Sequence, residues 1–70
     1  MFLSIVIPTY KSSVFIKKSI REIHNFLEAN NLKFEIILVN DGGDLNTWVK
    51  LKQICSEHKN IKAFNLYKNF

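Results

Sequence analysis

The chain has 70 residues, so its length allows a single small domain. Its formal charge is +4, and its one cysteine excludes an internal disulfide and a cysteine-rich metal site. The apolar start lacks a basic n-region and is shorter than the ~20 residues of a membrane helix, so we expect a cytoplasmic location. Basic residues cluster on one predicted helix without interleaved aromatic rings, and we therefore expect no nucleic-acid binding.

The first predicted strand covers residues 3–7, a nearly continuous apolar run. Pro8 is expected to end it, because proline has no N–H to give to a sheet ladder. Thr9 and Tyr10 then begin a loop.

A helix is predicted over about residues 13–29, capped by Ser12 or Ser13 and closed by Asn30-Asn31. Its apolar stripe recurs at four- and three-residue spacing and consists of Ile16, Ile20, Ile23 and Leu27.

The second predicted strand covers residues 34–39, where apolar residues follow one another without polar alternation. Such a run is typical of a strand that is covered on both faces, as in a parallel sheet. Gly42 and Gly43 allow a sharp turn after it. Asp41 is therefore expected at the carboxyl end of the strand, where open α/β sheets bind their ligands.

A second helix is predicted over about residues 45–58, with Asp44 or Asn46 as its cap, and a third strand over residues 61–66. No partner lies at metal-ligand spacing from either histidine, so both are expected at the surface or at a helix end. The helix face that is expected to be apolar consists of Trp48, Leu51 and Cys55, and the two histidines are His24 and His58.

The element order β-α-β-α-β predicts an α/β fold, a Rossmann-like three-layer fragment with parallel strands and right-handed crossovers. In such a sheet the loops that follow the strands meet at one edge. Tyr10, Asp41 and Lys68 would then converge there. An aromatic ring, a carboxylate and a cation suit a nucleotide's base and phosphates.

The sequence lacks G-x-G-x-x-G, the P-loop pattern and a nucleophile elbow. A nucleotide would therefore be held by its base and not by a glycine-rich phosphate loop. Alternatives without a ligand remain at this point. Asp41 could cap a turn, Tyr10 could be a surface aromatic residue, and Lys68 could be a solvated cation.

Several motifs together resemble the start of a family-2 glycosyltransferase with the A-type fold, along the whole chain. The form V-N-D-G followed by N-T-W is most similar to the polyprenyl-phosphate and dolichyl-phosphate sugar transferases. The motifs lie at residues 4–10 (S-I-V-I-P-T-Y), 35–42 (E-I-I-L-V-N-D-G), 46–48 (N-T-W) and 66–70 (L-Y-K-N-F).

The resemblance implies a role for each matching residue. Pro8, Thr9 and Tyr10 would lie against the base, Asp41 would accept a hydrogen bond from it, and Lys68 would lie near the diphosphate or sugar. The donor would be a nucleoside-diphosphate sugar, with UDP-sugar expected, and the acceptor a lipid phosphate or a saccharide. Such activity would belong to cell-envelope polysaccharide synthesis, with peripheral association at the inner membrane face left open.

Three positions depart from the family pattern. Lys11 stands where asparagine is usual, and Asn40 replaces the first aspartate of the common pair. Lys68 stands for arginine and loses the bidentate fork that arginine offers to phosphate.

Relatives also need a D-x-D-type motif for Mg²⁺ or Mn²⁺ and a carboxylate base, and the chain shows neither, so no catalytic residue or metal ligand is assigned. Residues 1–70 are thus interpreted as one partial domain, the nucleotide-binding half of a transferase, which alone should not turn over. The alternatives are a stand-alone α/β nucleotide-binding module and an inactive remnant that folds poorly because its third strand is an unprotected edge.

Overall fold

The structure, a computed structural model, describes residues 2–9, 15–41 and 45–66. The elements are β1 (Phe2–Thr9), α1 (Ile16–Ala29), β2 (Lys33–Asp41), α2 (Leu45–Glu57) and β3 (Ile61–Leu66). The strands form one parallel sheet in the order β1-β2-β3. The predicted α/β class and the order of its five elements are confirmed.

The two faces of the sheet differ in how they are covered. Along β2 the buried residues alternate with half-buried ones, so Ile36 and Leu38 face the helices while Ile37 and Val39 face the other way. Both helices lie on the same side of the sheet. This is shown by Arg21 of α1, which donates two hydrogen bonds to the carboxylate of Glu57 in α2.

The described elements therefore form two of the three expected layers. We call the side without helices the open face. Its exposed apolar side chains include Val6 (60% exposed) and Phe64 (54% exposed). The prediction that β2 is covered on both faces is wrong for the described residues. Two successive crossovers of the same hand, stepping in the same direction across the sheet, place both helices on one side.

Strand β1 is longer than predicted, because it continues through Pro8 and Thr9, which pair with Val39 and Asn40. The expectation that Pro8 ends the strand is therefore wrong. β1 lies at the edge of the sheet, and an edge strand tolerates proline because one side of it has no ladder to complete.

Helix α1 begins at Ile16, later than predicted, and its N-cap residue is Phe15, which provides no side-chain cap. Ser12 and Ser13 lie outside the described residues. The carboxyl end matches the prediction, since Asn31 has a φ of 57°, in the left-handed region. The amides of Asn31 and Leu32 donate to the carbonyls of Glu28 and Leu27, which is a Schellman motif.

The buried face of α1 includes His24 in place of Ile23, so the expectation that His24 is a surface residue is wrong. His24 is 5% exposed, and its Nε2 lies 3.0 Å from Asn60 Oδ1. Its ring lies edge-on to Phe34 at 5.2 Å and 4.1 Å from the ring of His58. Nδ1 lies 3.2 Å from a Glu28 carboxylate oxygen without the alignment of a hydrogen bond.

Helix α2 buries Thr47, Leu51 and Ile54, at the i, i+4, i+7 spacing of one helix face. Trp48 and Cys55 pack against the core only in part, so the predicted stripe is rotated slightly from the observed one. Partial burial raises the pKa of the Cys55 thiol. Asp44, which was expected to cap this helix, lies outside the described residues, and Asn46 lies within its first turn.

Candidate functional site

The carboxyl ends of the three strands lie side by side, as the topology predicts. Thr9 of β1 pairs with Asn40 of β2, and Asn40 pairs with Asn65 of β3. One residue further on, Asp41 pairs with Leu66. We call this row of strand ends the carboxyl edge.

On the helix side of the carboxyl edge, polar side chains form a ladder across all three strands. Thr9 and Asn40 are 2% and 0% exposed. The Thr9 hydroxyl donates to the Val39 carbonyl at 3.2 Å and lies 3.4 Å from Asn40 Oδ1. Asn40 Nδ2 donates to Asn65 Oδ1 at 3.1 Å. We call Thr9, Asn40 and Asn65 the polar ladder.

On the open face, the same edge presents a carboxylate among apolar groups. Side chains alternate along a strand, so Asp41 lies on the side opposite to Asn40, and it is exposed. Pro8 and Val39 are neighbours on this face, and Leu66 is the partner of Asp41 on β3. A hydrogen-bond acceptor beside an apolar surface suits a flat heterocycle that carries an N–H group.

The structure thus divides the predicted site residues between two sides of the sheet. Pro8 and Asp41 belong to the open face, whereas Thr9 is buried on the helix side, where its hydroxyl is already bonded. Tyr10 and Lys68 lie outside the described residues, as do Gly42 and Gly43. Their roles in binding stay predictions.

Asn40 and Asn65 were not singled out as interacting residues from the sequence. The signal for Asn40 was available, because it continues the alternation of Phe34, Ile36 and Leu38, all of which are buried. An asparagine at a core position needs hydrogen-bond partners, since a buried polar group without them is costly. Asn65 could not be identified in the same way, because its contact depends on the register of β2 with β3.

In the described residues, no group of three His, Cys, Asp or Glu side chains is placed to hold a metal ion. Asp41 is the carboxylate that these residues contribute at the carboxyl edge, and one carboxylate does not make a divalent-cation site. No described helix has the length and apolar character that crossing a membrane requires.

The polar ladder and the exposed carboxylate of Asp41 lie at the carboxyl edge of a parallel sheet, which is the edge at which open α/β sheets bind their ligands. Residues 4–70 match the model of glycosyl transferase family 2. The chain belongs to that family.

A relative from Mycoplasma genitalium, described as an uncharacterized glycosyltransferase, is 35% identical over 69 residues. That match takes in 99% of this chain but 23% of the relative, so the chain spans about a quarter of the relative's length. The family match covers nearly the whole chain, from residue 4 to residue 70.

Proposed function

We propose that this chain is the nucleotide-binding part of a glycosyltransferase whose donor is a nucleoside-diphosphate sugar, with a UDP-sugar as the preferred donor. The observation that supports it most is the exposed carboxylate of Asp41 at the carboxyl edge, beside Pro8, Val39 and Leu66, in a chain of this family. The similarity to polyprenyl-phosphate and dolichyl-phosphate sugar transferases is part of the proposal.

The base is the part of the donor that these residues suit. Uracil has an imide N–H that can donate a hydrogen bond to a carboxylate, and its ring can lie on an apolar surface. Tyr10 would add a stacking partner and Lys68 a cation for the phosphates, as predicted from the sequence. The formal charge of +4 also favours an anionic ligand over long range.

The reaction of such a glycosyltransferase would be displacement at the anomeric carbon. An acceptor oxygen, from a lipid phosphate or a saccharide hydroxyl, forms the new bond as the bond to the diphosphate breaks and the nucleoside diphosphate leaves. A hydroxyl acceptor gives its proton to a base. A bound Mg²⁺ or Mn²⁺ would neutralise the leaving group. We expect no turnover by this chain alone, because its sequence contains no D-x-D-type motif and no residue to which the role of base is assigned.

NMR titration of the chain with UMP and CMP tests the proposal. Cytosine has an unprotonated ring nitrogen where uracil has its imide N–H, so Asp41 should favour UMP over CMP. One charged hydrogen bond contributes about 1.5–3 kcal/mol, and we expect UMP to bind at least about tenfold more tightly. Asp41→Asn should remove most of this preference.

Glu35→Gln is the matched control, because Glu35 is a carboxylate on the same face of β2 at the other end of the strand. It should leave both affinities unchanged. A well-dispersed spectrum with no response to either nucleotide would contradict the proposal and favour an α/β module of another kind. A poorly dispersed spectrum would favour a remnant that folds only with a partner covering its open face.

A further inference from the structure

We propose that Asn40 is a positioning residue for the Asp41 carboxylate, because the carboxamide of Asn40 contacts the ends of the two neighbouring strands. This inference rests on the proposed function, in which Asp41 contacts the base. The polar ladder carries it: Asn40 is fully buried and its side chain reaches Thr9 on one side and Asn65 on the other.

The position of the ladder explains why it matters. Among the described residues, the last pair of β1 with β2 is Thr9 with Asn40, and the last pair of β2 with β3 is Asp41 with Leu66. The side chain of Asn40 supplies a cross-strand connection one residue before Asp41, in addition to the backbone ladder.

In this chain the ladder uses both polar groups of the Asn40 amide. Its Nδ2 donates to Asn65 Oδ1 at 3.1 Å, while its Oδ1 lies within reach of the Thr9 hydroxyl at 3.4 Å. An amide offers a donor and an acceptor at once, and an ionised aspartate offers acceptors only. An aspartate at position 40 would also place a charge at a fully buried site, directly beside Asp41 in the chain.

The acceptor-only character of an aspartate gives a test that a general loss of stability would not mimic. A protonated carboxylic acid again offers a donor and an acceptor at once, as the amide does. In Asn40→Asp, uridine binding should be at least tenfold weaker than in the unmodified chain at pH 8. The uridine affinity of Asn40→Asp, divided by that of the unmodified chain, should approach one as the pH falls and the carboxyl introduced at position 40 is protonated. Uridine is the probe because it has no phosphate that titrates.

Asn40→Leu is the second variant, since it removes the hydrogen-bond donor and the acceptor together. Its uridine affinity should not recover at low pH. Ile20→Val is the control, because it trims a buried α1 side chain outside the ladder. Circular dichroism with and without denaturant identifies conditions in which each variant is fully folded. Uridine affinity should then fall at least tenfold in Asn40→Leu and less than twofold in Ile20→Val.

Hydrogen exchange of the Asp41 and Leu66 amides provides a readout that needs no ligand. We expect exchange at both to be at least tenfold faster in Asn40→Leu than in Ile20→Val. Unchanged exchange in folded Asn40→Leu, or unchanged affinity, would overturn the positioning role. If the unmodified chain binds no uridine, the proposed function and the carboxylate-positioning role fall together. Faster exchange in that case would show that the ladder orders the strand ends alone.

Discussion

The two ends of the sheet both contain buried polar side chains, but they connect different parts of the molecule. At the amino end, His24 of α1 bonds to Asn60, which lies just before β3, and its ring contacts Phe34 at the start of β2. At the carboxyl edge, the hydrogen bonds of the polar ladder join strand to strand. The first arrangement holds a helix on the sheet, and the second holds the sheet's own strand ends in register.

Because the two ends of the sheet have different contacts, we expect residues at one end of β2 to affect the stability of the fold and residues at the other end to affect ligand binding. β2 runs from Phe34, in contact with His24, to Asp41, exposed at the opposite end. A change at the amino end should lower the free energy of unfolding without altering the carboxyl edge. Substitutions far apart and without shared partners usually add, which makes the two ends independent in this sense.

The largest effect is expected at Leu38, which is fully buried between the two ends. Leu38→Ala removes apolar atoms and leaves a cavity, at a cost of about 2–5 kcal/mol. For a domain of 70 residues, with a stability of roughly 0.05–0.15 kcal/mol per residue, this loss is a large part of the total. Urea unfolding followed by circular dichroism would measure it.

The control for this prediction is Ile37→Ala on the next residue of the same strand. Ile37 is half-buried on the open face, so its truncation should cost clearly less than that of Leu38. Equal losses for the two variants would show that the open face is as well covered as the helix face.

A smaller effect is expected at His24. His24→Leu places an apolar side chain beside Phe34 and leaves the Asn60 oxygen without its ring partner, which costs about 1–3 kcal/mol. The UMP affinity of the folded variant should stay within a factor of two of the original. A large loss of affinity at full folding would contradict the separation of the two ends.

Much of the fold follows from residue patterns, because local sequence and chain order fix it. Apolar runs gave the three strands, and the Asn30-Asn31 pair gave the end of α1, where Asn31 adopts the left-handed conformation. The place of Asp41 at a strand end follows from the same reasoning and from the parallel topology.

Contacts between elements were the part that the sequence did not reveal. Ile23 and His24 are consecutive in α1 and lie about 100° apart around its axis, and hydrophobicity favoured Ile23 for the buried face. The structure buries His24 because the turn before β3 presents the Asn60 oxygen to its ring. Asn40 is similar, since Thr9 and Asn65 become its partners only when three strands are in register.

The smallest effect is expected at the exposed pair between α1 and α2, where Arg21 Nη2 lies 2.6 and 2.8 Å from the two Glu57 oxygens. The hydrogen bond from Arg21 lowers the pKa of the Glu57 carboxyl. A carboxyl with a lowered pKa in the folded state stabilises that state above its unfolded pKa, about 4.3. This contribution disappears as the pH falls through the lowered folded pKa.

Arg21→Gln should therefore cause a slight loss of stability at pH 7 and none once Glu57 is protonated in both states. Lys18→Gln, which removes the same charge from an exposed position of α1, is the control. The difference between the two variants in urea midpoint, measured from pH 7 to pH 2.5, isolates the pair from general charge effects. The difference should shrink as the pH falls. A difference that is constant over this range would mean that Arg21 acts through the packing of its aliphatic stem and not through the Glu57 carboxylate.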